Sequence, residues 1–266
     1  MSGALFTVDE LRALRRVAEI ELPRFVCEGD AGHVAVDAAA LRGLAVRGLV
    51  TLEDGVRVGG ELTRLLAPCS SARLLAEVEL ESAGRLTHIA LAAGTERVTL
   101  LTERDAGLVS VERVDADPGE VLARVCRLDE VAEVGAGAGF TVAAEAHTEA
   151  DGLVLDGALD AAARLLTEAG VQASSARAWV TAVAGRRYAA SLSVARRRDD
   201  GGPVEAGELR WLVAGDGTAW RVEPAEPPLA PWPDLRPPEY AVITPAGRPE
   251  LHRDLAALAA AETADR

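Results

Sequence analysis

Glu77, Glu79 and Glu81 come nearest to chemistry in type and spacing. A period of two puts all three carboxylates on one side of an extended strand. Such a row can hold a cation or share acid and base roles. It can also be a solvated or edge-protecting face. No His or Asp cluster stands beside it in sequence, so the solvated reading leads. The histidines, His33, His88, His147 and His252, are scattered. His88 sits among apolar strand residues and reads as structural, and His147 falls in a linker. The chain has no H-E-x-x-H or H-x-x-E-H pair and no G-x-S-x-G elbow. Cys27, Cys69 and Cys126 are odd in number and form no C-x-x-C pair, which argues against a disulfide framework or a structural zinc. They read as small buried side chains in a reducing compartment. Gly135, Gly137 and Gly139 lack the spacing of a dinucleotide fingerprint, and a phosphate loop needs a lysine that this chain does not contain. The expectation is a protein that is not an enzyme and takes no cofactor and no metal.

Composition narrows the partners. The 266 residues are 49% hydrophobic, enough for a sizeable core, and the formal charge is −14. Nucleic-acid affinity rests mainly on neutralising phosphates, and this field has the wrong sign. No apolar run reaches membrane-spanning length, and the first residues lack a secretory pattern. The expectations are a cytoplasmic protein, no membrane insertion and no nucleic acid.

The elements that would position these residues follow a repeated order. Residues 73–81, 86–93, 97–104 and 108–114 read as four strands joined by short turns, which forces antiparallel neighbours. Asp117-Pro118 then opens a helix with Val121, Leu122, Val125 and Leu128 on one stripe. Residues 187–197, 207–214, 219–223 and 239–244 read as four more strands, followed by a helix over 249–261. Each set is preceded by helices. The pattern predicts an α+β fold: a quasi-two-fold repeat whose strands merge into one central antiparallel sheet. The halves span residues 1–128 and 153–266, with a Gly- and Ala-rich linker over 129–152 that holds a brief strand at 140–144.

Within the first half, Thr7 and Glu10 have capping-box spacing for a helix over 7–18. Residues 21–26 break it and suit a short strand. Asp37 is the expected N-cap of a helix over 37–47, with Gly48 as its C-cap. Short extended pieces at 49–52 and 56–58 follow, then a helix over 60–67 ended by Pro68. This order resembles a winged-helix module, so a DNA-binding regulator is an alternative. The first helix offers only Arg42 and Arg47, however, and Glu53, Asp54 and Glu61 repel phosphate. An enzyme whose groups converge only in space is a further alternative. In the second half, residues 156–169 and 174–184 read as helices. Residues 196–203 read as a charged hairpin loop. Trp211 and Trp220 suit either a core or an interface anchor. Seven prolines between positions 224 and 238, with Trp232 among them, exclude helix and central strand there.

The order of these elements resembles the EspG family, the cytosolic chaperones of ESX (type VII) secretion. The resemblance runs through Phe6-Thr7-Val8-Asp9-Glu10-Leu11 with Leu14, Leu22-Pro23, residues 45–50, residues 58–66 with Pro68 after them, and the strand at 74–80. In the second half it runs through Leu165, Gly170-Val171, Ala184-Gly185, Gly207-Glu208-Leu209-Arg210-Trp211 and the closing helix. It implies a quasi-two-fold α/β fold and no catalysis. It also implies binding of secreted helical partners, PE/PPE heterodimers or WXG100-like proteins, near the PPE tip, by a monomer or weak dimer. The proline-rich loop is longer than the family pattern, and the hairpin at 82–84 is tight where a relative can carry a longer contact loop. From position alone, the partner-binding residues expected here are Arg196, Arg197, Arg198 and Asp199 in the charged loop, with Leu209, Trp211 and Val213 on the adjacent strand.

Overall fold

In the computed structural model, residues 3–18, 20, 22–27, 34–70, 72–94, 97–105, 107–196, 205–225 and 240–260 are described. The first half opens with β1 (Gly3–Thr7), α1 (Val8–Ala18), α2 (Arg24–Cys27) and α3 (Val34–Val46). A two-stranded hairpin of β2 (Val50–Thr51) and β3 (Arg57–Val58) leads to α4 (Gly60–Ser70). The expected strands follow as β4 (Leu74–Ser82), β5 (Arg85–Ala93), β6 (Val98–Glu103) and β7 (Leu108–Val114), then α5 (Pro118–Val125). After a 3-10 turn at Leu128–Glu130, the second half has β8 (Phe140–Ala143), α6 (Ala144–Leu155), α7 (Leu159–Glu168) and α8 (Ala173–Ala184). It closes with β9 (Arg186–Arg196), β10 (Glu205–Ala214), β11 (Ala219–Ala225), β12 (Tyr240–Ala246) and α9 (Arg248–Ala260).

Ten of these strands form one antiparallel sheet in the order β1-β7-β6-β5-β4-β9-β10-β11-β12-β8. The halves join where β4 pairs with β9, from Leu74↔Arg196 to Ser82↔Tyr188. The order reads alike outward from that seam. Each half runs through its four strands and ends on the short strand that opened it, β1 beside β7 and β8 beside β12. The merged quasi-two-fold sheet expected from the repeat is therefore present. Local chemistry accounts for its turns and caps. Ala83 and Gly84 both take positive φ, 51° and 71°, as a two-residue hairpin requires. Thr7 and Glu10 cap α1 reciprocally: the Thr7 N–H donates to Glu10 Oε2 at 2.9 Å, and the Glu10 N–H to Thr7 Oγ1 at 3.1 Å. Asp117 Oδ1 accepts from the Gly119 and Glu120 N–H groups ahead of Pro118.

Five local expectations differ from the structure. Strand β1 was not anticipated; it is short, and its pattern is carried by Phe6 packing inward. Residues 24–27 form a helical turn rather than a strand, closed by the Val26 and Cys27 N–H groups on Pro23 O. Asp37 does not cap α3, which starts at Val34; its carboxylate pairs with Arg16 instead. Pro68 lies inside α4 rather than ending it. It stands near the C-terminal end, where its ring removes a single bond back to the Arg64 carbonyl. Residues 129–152 hold the 3-10 turn, β8 and most of α6, so the second repeat opens at Phe140. The winged-helix-like segment is built into the first half: Thr99 Oγ1 of β6 donates to Leu65 O of α4 at 2.7 Å. Arg47, one of the two arginines available to DNA, is held by Glu10 and Leu5 O.

The helices cover the two faces of the sheet unequally. On one face α5 and α9 lie over the middle, sealing Leu74, Ala76, Val78, Tyr188, Leu192, Trp211 and Val213 into one core. Gly207 permits this close approach, since a Cβ there would stand 2.5 Å from Leu258 Cδ2. On the other face α1 to α4 cover the first half around Ala90, Ala92, Leu101, Val109 and Val111. α6 to α8 cover the second half around Leu212, Ala214, Trp220 and Ile243. Between these two helical layers a strip of sheet along the seam is left uncovered.

Candidate functional site

The uncovered strip is the face that Glu77, Glu79 and Glu81 share. On β4, Leu74, Ala76 and Val78 turn into the sealed core, which obliges the three glutamates to point the other way. Strand register continues the strip sideways. His88, Glu79, Ser191, Arg210 and Val222 stand opposite one another across β5, β4, β9, β10 and β11. The row beside it is Leu86, Glu81, Ala189, Leu212 and Trp220. A groove of about 320 Å³ lies over these rows, walled on the second-half side by His147, Asp151, Trp179 and Val183. On the first-half side Phe25 of α2 stacks on His88, ring centroids 5.6 Å apart, and the Arg24 N–H donates to Glu77 Oε1 at 2.9 Å.

The charges of the groove are unevenly matched. Arg186 donates to Glu81 at 2.5 Å, and Arg210 to Glu208 at 2.6 to 2.7 Å. Glu79 is 58% exposed, and His88 Nδ1 stands 3.9 Å from its Oε1, beyond hydrogen-bonding distance. On the wall, Asp151 Oδ2 lies 3.8 Å from His147 Nε2, one turn apart on α6. Asp151 Oδ1 and Trp179 Nε1 are buried without closing a hydrogen bond. Burial pushes the Asp151 carboxyl above its ordinary range, against the opposing pull of His147, the Trp179 indole and Arg186. Trp179 meets His147, Phe140 and Trp220 ring to ring.

The residues expected to bind a partner do not gather here. Leu209, Trp211 and Val213 are 4%, 2% and 0% exposed and belong to the core under α5 and α9. The reason is parity: odd positions of β10 face the sealed side, and it is Glu208 and Arg210 that reach the open one. Arg196 is the last residue of β9, paired with Leu74 and Glu205. Arg197, Arg198 and Asp199 lie outside the described residues, as does most of the proline-rich stretch, residues 226–239. Sequence reading left Arg210, Ser191, His147 and Asp151 unassigned. A signal existed for the first two, because Ser191, Ser193, Glu208 and Arg210 keep the polar alternation of β4 going across its neighbours. None existed for His147 and Asp151, which reach the groove only because residues 144–155 are helical. The shared side of Glu77, Glu79 and Glu81 is as the spacing requires.

Among the described residues no group of three or more His, Cys, Asp or Glu side chains could hold a metal ion. No helix among them is long and apolar enough to cross a membrane. Tyr188, on the sealed side of the seam, donates to Cys126 O and Arg127 O. Burial pushes its phenol up, and burial also pushes the Cys126 thiol up, to about 12.

The family model described as EspG family matches residues 7–257. No curated protein matches the chain. Among solved structures, one similar in fold is the Mycobacterium tuberculosis type VII secretion system chaperone EspG5 in complex with the PE25–PPE41 dimer. The likeness has a TM-score of 0.61 at 15% sequence identity and covers 96% of this chain and 95% of that one.

Proposed function

The chain belongs to the EspG family, and on that premise we propose that it is a type VII secretion chaperone that holds a helical PE/PPE-type heterodimer before export. The family match over residues 7–257 carries this reading. The groove between the two helical layers supports it. A strip of sheet flanked by helical walls can receive the end of a helical bundle, and its polar floor stays soluble when empty. The chain works in the cytoplasm as a monomer or weak dimer and catalyses no reaction. Its free-energy contribution is burial of a partner surface that would otherwise aggregate.

Pairwise co-expression with the PE/PPE-type heterodimers of its own genome tests this reading. The expected result is a soluble complex of all three chains that elutes as a single species and holds the heterodimer in solution. If every pair stays insoluble, or elutes apart from the chain, the proposal fails.

A further inference from the structure

Resting on that reading, we propose that the groove selects its partner through a basic side chain, an arginine or lysine at the end of a partner helix, seated over Glu79 and reaching toward Asp151. Several independent features of the groove converge on a cation. Arg186 and Arg210 are already engaged by Glu81 and Glu208. Glu79 stands between Glu77 and Glu81 on the same face of the same strand, with its carboxylate open to the groove. Asp151 Oδ1 on the wall closes no hydrogen bond, with the Trp179 indole and His147 its nearest polar neighbours, and a guanidinium or ammonium would supply a full one. The cost of desolvating the Asp151 anion is offset by the charge of the arriving cation.

The apolar lining suits the rest of such a side chain. Leu86, 49% exposed, stands opposite Glu81 on β5 and offers surface for an aliphatic stem whose charged head lies on Glu79. The chain's own charge of −14 favours encounter with a basic partner. An acidic partner tip would meet Glu77, Glu79, Glu81 and Asp151 and be rejected. The groove thus discriminates by repulsion as well as by attraction.

The experiment uses the co-purified complex with the PE/PPE-type heterodimer. Affinity is measured for the wild-type chain, Glu79→Gln, Asp151→Asn and a control, Glu112→Gln, on β7 away from the groove, across a sodium chloride series. Glu79→Gln is expected to weaken binding about 10-fold or more and to flatten the salt dependence, because a charge-assisted hydrogen bond is lost. The control is expected to match the wild type. Thermal unfolding of the free variants separates loss of binding from loss of fold, and a charge swap, Glu79→Arg against an acidic substitution of the partner's basic residue, is expected to restore affinity. If the heterodimer binds and Glu79→Gln stays within twofold of the wild type with an unchanged salt slope, this proposal is overturned while the chaperone reading stands. If no heterodimer binds the wild-type chain, the chaperone reading falls and this one with it.

Discussion

Strand β10 belongs to two different surfaces at once. Leu209, Trp211 and Val213 lie under α5 and α9, while Glu208 and Arg210, one residue away, turn to the open face, Arg210 into the groove. The difference comes from where the helices lie, not from the strand. On the sealed face two helices cross the middle of the sheet. On the open face the helices sit over the two flanks and leave the seam bare. One face of the seam therefore carries stability, and the other is free to carry recognition. Substitutions at neighbouring positions should separate these two roles.

The largest expected contrast is at residue 211. Trp211→Ala should cost about 3–5 kcal/mol of stability, the range for deleting a fully buried aromatic, measured by urea unfolding. Arg210→Ala, on the adjacent position, should stay within about 0.5 kcal/mol of the wild type, since it is exposed and its ion pair with Glu208 is a surface one. Equal losses at both positions would erase the distinction between the faces. Next is Tyr188→Phe, which removes the phenol donor from Cys126 O and Arg127 O on the sealed side and leaves Arg127 O only the Glu130 N–H. A loss of about 1–2 kcal/mol is expected.

The third effect tests the groove wall through pH. Burial raises the folded-state pKa of Asp151 above the ordinary 3.8. Below that ordinary value both folded and unfolded chains hold the proton, and Asp151 contributes no difference. As pH rises, the unfolded chain releases its proton first, and the folded state loses stability until the raised pKa is passed. Asp151→Asn removes that loss. The stability of the variant relative to wild type should therefore grow with rising pH through the carboxylate range and then level off, in urea melts run over a pH series. A gap that is flat or shrinks would show a carboxylate well solvated in the free chain. The smallest effect on stability is Glu79→Gln, expected within about 0.5 kcal/mol for an exposed strand residue. A negligible stability cost beside a clear binding cost is the signature that sets the open face apart from the sealed one.

Much of this fold was legible beforehand, for reasons that specific residues display. The turn at Ala83-Gly84 and the Asp117-Pro118 cap are local chemistry, and their strands and helix stand where the pattern put them. In the first set of four strands the turns are short enough to force antiparallel pairing, whereas in the second residues 226–239 separate β11 from β12 and turn length left that pair open. The site was less legible. Alternation placed Glu77, Glu79 and Glu81 together, but no local signal said whether their side or that of Leu209, Trp211 and Val213 would be covered. Apolar strand residues read equally well as core or as an exposed anchor, and the helices that choose between the two lie far off in sequence: α5 ends at Val125, and α9 begins at Arg248.

Composition, spacing and turn chemistry alone determined an acidic α+β chain of two similar halves with no catalytic motif, because each of those features depends on neighbours along the chain. Only the tertiary structure decided which face stayed open, that His147 and Asp151 would meet β4 and β10 across a groove, and that Trp211 would be core. Those outcomes depend on how helices distant in sequence divide the two sides of one sheet. Burial free energy favours covering the apolar side of the seam and leaves the polar side to water.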